Sequence, residues 1–124
     1  MEKIFNIQER TLRFGIRIVK FMDLLPKTTT CLILGKQLIR AATSIGANLE
    51  EADAAVSRRD FINKVGISMK EAYEARYWLR LIKGVGIVGD PYDVLKELLD
   101  ESLELVKILT SITLKTKQNQ GYNI

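Results

Sequence analysis

The stretch LIRAATSIGANLEEADAAVSRRDFINKVGISMKEAYEARYWLRL, residues 38–81, decides the fold. Together with Leu34 just upstream, its apolar residues Leu38, Ala41, Ile45, Leu49 and Ala52 recur every three or four positions, the spacing of one face of a helix. Ser57 follows as a plausible N-cap, with Asp60 three residues on as an imperfect capping box. Beyond it Phe61, Ile62, Val65, Ile67, Met69, Trp78, Leu79, Leu81 and Ile82 sustain a second long helix. A connection this short forces the two helices to run antiparallel.

The same punctuation continues outward. Upstream, Leu25-Pro26-Lys27-Thr28-Thr29-Thr30 ends one helix at the proline and offers a threonine to cap the next. Downstream, Gly84-Val85-Gly86-Ile87-Val88-Gly89 reads as a helix C-terminus and turn, and Asp90-Pro91 as an N-cap with proline at the first helical position. The predicted helices span 6–25, 30–54, 58–84 and 91–116, with 117–124 as a flexible tail. The expected fold is all-α: a single domain, residues 1–124, built as an antiparallel up-down-up-down four-helix bundle.

Composition narrows the function classes. Of 124 residues, 47% are hydrophobic and 27% charged, a balance that supports a packed core rather than disorder. Charges at Glu2, Lys3, Glu9, Arg10 and Arg13 leave no apolar h-region near the start, which predicts no signal peptide. A lone cysteine, Cys31, cannot close an intrachain disulfide, and the expected location is the cytoplasm. Cys31 sits among Leu32, Ile33 and Leu34, which favours a small core residue over a nucleophile. The chain has no histidine. That removes a histidine general base, the usual zinc sets and the Glu-x-x-His half of a bundle di-metal site. The glycines at 84, 86 and 89 lack the strand and the Lys-Ser/Thr of a phosphate loop. The expectation is no enzyme activity, no cofactor and no metal.

Helix 1 carries more apolar surface than one core can take. Leu12, Phe14, Ile16, Ile18, Val19, Phe21, Met22 and Leu25 fill an arc about twice the ~100° stripe of an ordinary amphipathic helix. Helix 3 is similarly broad. Surplus of this kind predicts self-association.

Polar residues also align. Arg40, Ser44, Asn48 and Glu51 run along one edge of helix 2, and Glu71 and Glu74 share the apolar side of helix 3 with Ile67 and Trp78. A buried carboxylate needs a partner, and the fork of Arg40 suits one. Two readings are open: a buried ion-pair seam that fixes the pairing of helices 2 and 3, or a ligand pocket. The first is favoured, and it predicts a strong loss of stability on Arg40→Leu.

The run from Gln37 to Leu81 resembles the four helix bundle protein family, also called the 23S ribosomal RNA intervening-sequence protein family. Its second-helix pattern is matched by Arg40, Ser44-Ile45, Asn48 and Glu51. Its third-helix pattern is matched by Phe61, Lys70-Glu71-Ala72, Glu74 and Tyr77-Trp78-Leu79. Ala52 stands where the family often has glycine, so the turn between these helices is expected to differ. The resemblance implies a bacterial protein that assembles as a homopentamer and binds RNA or DNA. It also implies a possible protein partner, a reverse transcriptase, through similarity to the accessory variability protein of retroelements.

Net charge is +4, with the basic excess on residues 1–27 and 57–89 and the acidic excess on 28–56 and 90–124. Arg10, Arg13, Arg17 and Lys20 share an arc of helix 1, while Arg76, Arg80 and Lys83 are spaced along helix 3. Such stripes hold phosphates without reading sequence. The competing reading is a solvated face partly neutralised by acidic helix 4, whose Asp93, Glu97, Asp100, Glu101 and Glu104 could equally serve a protein-interaction scaffold with no nucleic-acid role. Tyr77 and Trp78 are expected in the core or an interface rather than as a stacking platform.

Overall fold

The computed structural model describes residues 2–87 and 92–119, with side chains over 6–87 and 92–118. Four helices make up the described residues: α1 (Glu2–Met22), α2 (Thr29–Asp53), α3 (Arg58–Val85) and α4 (Tyr92–Asn119). The predicted start of the last helix at Asp90-Pro91 lies outside the described residues, as does the tail from residue 120. Residues 117–119, expected in that tail, continue α4 instead.

The helix ends follow from local chemistry. α1 stops three residues short of the predicted end. Leu25 precedes a proline, whose ring disfavours helical backbone there. The chain tightens into three-residue turns, with the amides of Asp23, Leu24 and Leu25 donating to the carbonyls of Lys20, Phe21 and Met22 at 3.2, 2.9 and 3.3 Å. Thr28 caps α2, its hydroxyl oxygen accepting from the Cys31 amide at 3.2 Å. Ser57 caps α3 by accepting from the Asp60 amide at 3.0 Å. Gly86 ends α3 in the left-handed region at φ 75°, a conformation glycine adopts without steric cost.

Cross-helix contacts define the bundle. Thr11 meets Gly46, Met22 meets Gly35, Ser68 meets Ile45, and Arg76 meets Leu99 and Ser102. Met22 at the end of α1 sits by Gly35 near the start of α2 while Thr11 sits by Gly46 further along, and the later part of α3 meets the earlier part of α4, so neighbours run antiparallel. α2 and α3 share the most extensive contact, α1 and α4 the least, and the backbones of the diagonal pairs make no close approach. The order around the bundle is therefore α1, α2, α3, α4.

The core draws on all four helices. Phe14, Ile18 and Phe21 from α1 meet Leu38, Ile45 and Leu49 from α2, Leu79 and Ile82 from α3, and Leu95, Leu98, Leu105 and Leu109 from α4. Cys31 is buried with them. Small residues are buried on both helices, Ala41 and Ala52 on α2 and Ala72 and Ala75 on α3, while Ala42 lies in phase with Gly35 and Gly46 on the side of α2 that meets α1. The breadth of helix 3 needs no second protomer. Phe61, Met69 and Trp78 pack against the core, half-buried between α3 and its two neighbours. Of the residues that make the arcs of helices 1 and 3 broad, those that stay exposed are Leu12, Ile16 and Val19 of α1.

Small residues at the α2–α3 contact imply that bulk there is costly. Ala75→Leu is expected to lower stability by about 1–3 kcal/mol through overpacking. Urea unfolding followed by circular dichroism measures it, and an unchanged midpoint would show that the two helices have room to spare.

Candidate functional site

The polar seam forms, but at the rim of the α2–α3 contact rather than inside it. Arg40 donates to both oxygens of Glu71 at 3.4 Å and makes a close ion pair with Glu74. The Trp78 indole N–H donates to the same Glu74 oxygen at 2.9 Å. The other members stay on their own helix: Ser44 donates to the Arg40 carbonyl and Asn48 to the Ser44 carbonyl. Glu51 pairs instead with Lys64, at 2.7 Å. The Arg40 side chain is 47% exposed, so burial of this pair is corrected. The alanines draw the axes together and leave no interior space for a guanidinium. The buried polar tie between these helices is one the sequence did not single out. Ser68, fully buried, donates to the Ile45 carbonyl at 2.8 Å.

The helix 1 cations are largely engaged within the molecule. Arg10 grips Glu101 of α4 with two hydrogen bonds, 2.7 and 2.8 Å, and that bonding raises its guanidinium pKa further. Arg17 lies 3.7 Å from Glu97 of α4, and Arg13 3.7 Å from Glu9 on its own helix. Lys20 is exposed and makes no ion pair among the described residues. On α3, Arg76 is pinned to α4, donating to the Leu99 carbonyl at 2.9 Å and to Ser102 Oγ at 3.3 Å. Arg80 and Lys83 project into solvent. The seven cations therefore do not form one surface: Arg10, Arg17 and Arg76 fasten α4, and the remainder are scattered.

The surplus of helix 1 is displayed plainly. Ile7, Phe14, Ile18 and Phe21 form the core stripe, and Leu12, Ile16 and Val19 form a second one, 54%, 45% and 47% exposed. This second stripe borders a groove of about 520 Å³ between α1 and α2, floored by Thr43, Gly46 and Ala47. Gly46 lets the helices approach closely, since a Cβ there would lie 3.3 Å from Thr11 Oγ1 and 3.6 Å from the Thr11 carbonyl carbon. Thr11 is itself held by hydrogen bonds to the Ile7 and Gln8 carbonyls. Among the described residues no group of three or more histidine, cysteine, aspartate or glutamate side chains could hold a metal ion, and no helix is long and apolar enough to cross a membrane.

An all-α four-helix bundle whose distinctive chemistry lies on its outer faces is the class these features define. The model of the 23S rRNA-intervening sequence protein family matches residues 3–111, and the chain belongs to that family. The match takes in α1 and most of α4, well beyond the Gln37–Leu81 stretch that carries the sequence resemblance. The structure is similar to a crystal structure from Bacteroides thetaiotaomicron, of a protein with unknown function from the S23 ribosomal protein family. The TM-score is 0.80 at 37% identity, over 90% of this chain and 97% of that one. No curated protein matches the chain.

Two outcomes follow for the seam. Because the Arg40 pair is solvent-exposed, Arg40→Leu is expected to cost no more than about 1 kcal/mol in urea unfolding, far less than for a buried pair. The Trp78 hydrogen bond, followed by the Arg40 interaction, holds the Glu74 carboxyl below the usual carboxylate range. A group depressed in this way stabilises the fold in full at neutral pH. Its contribution fades as pH falls below the ordinary glutamate value of about 4.3 and is lost once pH passes through the lower folded value. Glu74→Gln should therefore flatten the acid limb of the stability–pH curve. A mutant limb as steep as the wild type's would mean that this carboxylate is not linked to folding.

Proposed function

We propose that the protein is a non-enzymatic, cytoplasmic homo-oligomer of helical bundles that binds nucleic acid through basic helix surfaces. The observation that carries the reading is the exposed stripe Leu12, Ile16 and Val19 beside the α1–α2 groove. Three large apolar side chains in line, on a helix whose other apolar stripe already fills the core, are stabilised by removal from water against another protomer. Five protomers is the stoichiometry that the family resemblance implies. Each protomer brings a sequence pI of about 9.3, together with Arg58, Arg59, Lys70, Arg80 and Lys83, none of them in an ion pair among the described residues. Repetition around an oligomer multiplies that charge and adds avidity for a polyanion.

One observation favours a second reading, a protein-interaction scaffold with no nucleic-acid role. The cations of α1 are mostly engaged by Glu9, Glu97 and Glu101, so that helix offers little free positive charge. A reverse transcriptase is one protein partner such a scaffold could serve.

Light scattering on a sizing column separates assembly from its absence. The wild type is expected at a multiple of the 14.1 kDa chain mass. Leu12→Glu with Ile16→Glu should give monomers of unchanged helicity. A wild-type protein that elutes at the mass of one chain sinks the oligomer reading. Filter binding to structured RNA at low and high salt then divides the two functions: retention that weakens steeply with salt supports nucleic-acid binding, and no retention at low salt leaves the scaffold.

A further inference from the structure

α3 carries a second alignment, independent of the cations considered so far. Arg59, Asn63, Lys70, Tyr73, Tyr77 and Arg80 advance by three, four or seven residues and are all exposed. On a helix this spacing makes one straight outward stripe, opposite the buried face of Val65, Ala72, Ala75, Leu79 and Ile82. From Arg59 to Arg80 it runs about 32 Å at roughly 1.5 Å per residue. No carboxylate interrupts it. The acids of α3 lie off it: Glu71 and Glu74 face α2, where Arg40 engages them, and Asp60, beside Arg59 in sequence, interacts with Lys64. Arg59, Lys70 and Arg80 make no ion pair among the described residues.

We infer that this stripe is a binding track for single-stranded nucleic acid, with Arg59, Lys70 and Arg80 on the phosphates and Tyr73 and Tyr77 each stacking a base. The inference rests on the nucleic-acid reading above and names the form of ligand and the residues that hold it. Three observations point to a single strand. The two tyrosines are 53% and 54% exposed and stand one helical turn apart. That is about 6 Å along the axis, wider than the 3.4 Å step between stacked bases. They therefore suit bases splayed from one another, as in an unpaired strand, and not the closed stack of a duplex. The Tyr77 ring is braced edge-on against Trp78, centroids 5.1 Å apart and planes at 74°, which restrains its ring orientation. Below the tyrosines lies a hollow of about 380 Å³ between α3 and α4, bordered by Arg59, Asn63, Lys70 and Lys117. Gly66 also lines it, and a Cβ there would touch nothing within 4 Å. This hollow, apolar at Ile62, Ile67 and Met69 and rimmed by cations, lies beside the line that Arg59, Asn63 and Lys70 mark for the strand.

The test is fluorescence anisotropy of the intact protein with a labelled single-stranded RNA oligonucleotide and with its duplex. The wild type is expected to prefer the single strand. Tyr73→Ala with Tyr77→Ala should weaken single-strand binding at least about tenfold and leave duplex binding nearly unchanged. Tyr73→Phe with Tyr77→Phe, which keeps both rings, should restore it. Because Trp78 is the single tryptophan and abuts Tyr77, single-strand binding should also change its emission in the wild type. Equal single-strand affinity in the alanine and wild-type proteins overturns the track while leaving nucleic-acid binding by other surfaces intact. A change of oligomer mass in the alanine variant, with single-strand affinity unaltered, overturns it in favour of a contact between copies. Failure of the wild type to bind either RNA at low salt removes the broader reading as well.

Discussion

Close approach of α2 and α3 governs where everything else can go. Ala41 and Ala52 on one helix and Ala72 and Ala75 on the other add almost no side-chain bulk, and all are at most 2% exposed. Helix axes separated by small residues fall at the short end of the usual 8–10 Å range. A guanidinium and two carboxylates do not fit into such a contact. They lie at its rim, where water supplies part of their solvation and each pair contributes less. The one polar side chain admitted, Ser68, is small, and it needs only a carbonyl with a spare lone pair, which Ile45 provides.

α1 then takes the place left to it. Its core stripe closes the bundle, and Gly46 lets it sit close on α2. Its contact with α4 is the weakest in the ring, and it is there that Arg10 and Arg17 meet Glu101 and Glu97. Charge is therefore sorted by packing strength. Where apolar contact is extensive the ions are pushed to the edge, and where it is thin a bidentate arginine–carboxylate pair fixes the geometry.

Helix number, order and turns are legible in the sequence because they rest on near-neighbour chemistry: threonine and serine caps, the proline at 26, the glycine at 86 and the 3.6-residue period. The partners of Arg40 are legible too, since two carboxylates on an otherwise apolar side of a helix need a cation. The depth of that seam is not legible. It depends on the distance between helix axes, which alanines on both sides set jointly and which neither helix reveals alone. The broad apolar arcs of helices 1 and 3 look alike along the chain, yet they end differently. α3 lies between two closely packed neighbours that cover its flanks, whereas α1 has a close neighbour only in α2. The outward stripe of Tyr73 and Tyr77 escapes notice for a related reason. Tyr77 adjoins Trp78, and consecutive aromatics read as core until the helix phase is fixed by Ala72, Ala75, Leu79 and Ile82.

That phase also explains why the free cations collect on α3 rather than on α1. Both helices carry arginines on their outer sides, but only α1 has an uncovered row of carboxylates within reach. Glu97 and Glu101 recur at one-turn spacing on the flank of α4 that faces α1. On its other flank α4 offers α3 the Leu99 carbonyl and the Ser102 hydroxyl, and these hold Arg76 by hydrogen bonding without cancelling its charge. Positive potential is consequently quenched on one side of α4 and preserved on the other. The same sequence pattern, a row of arginines one turn apart, yields a structural clasp in the first case and an unneutralised surface in the second.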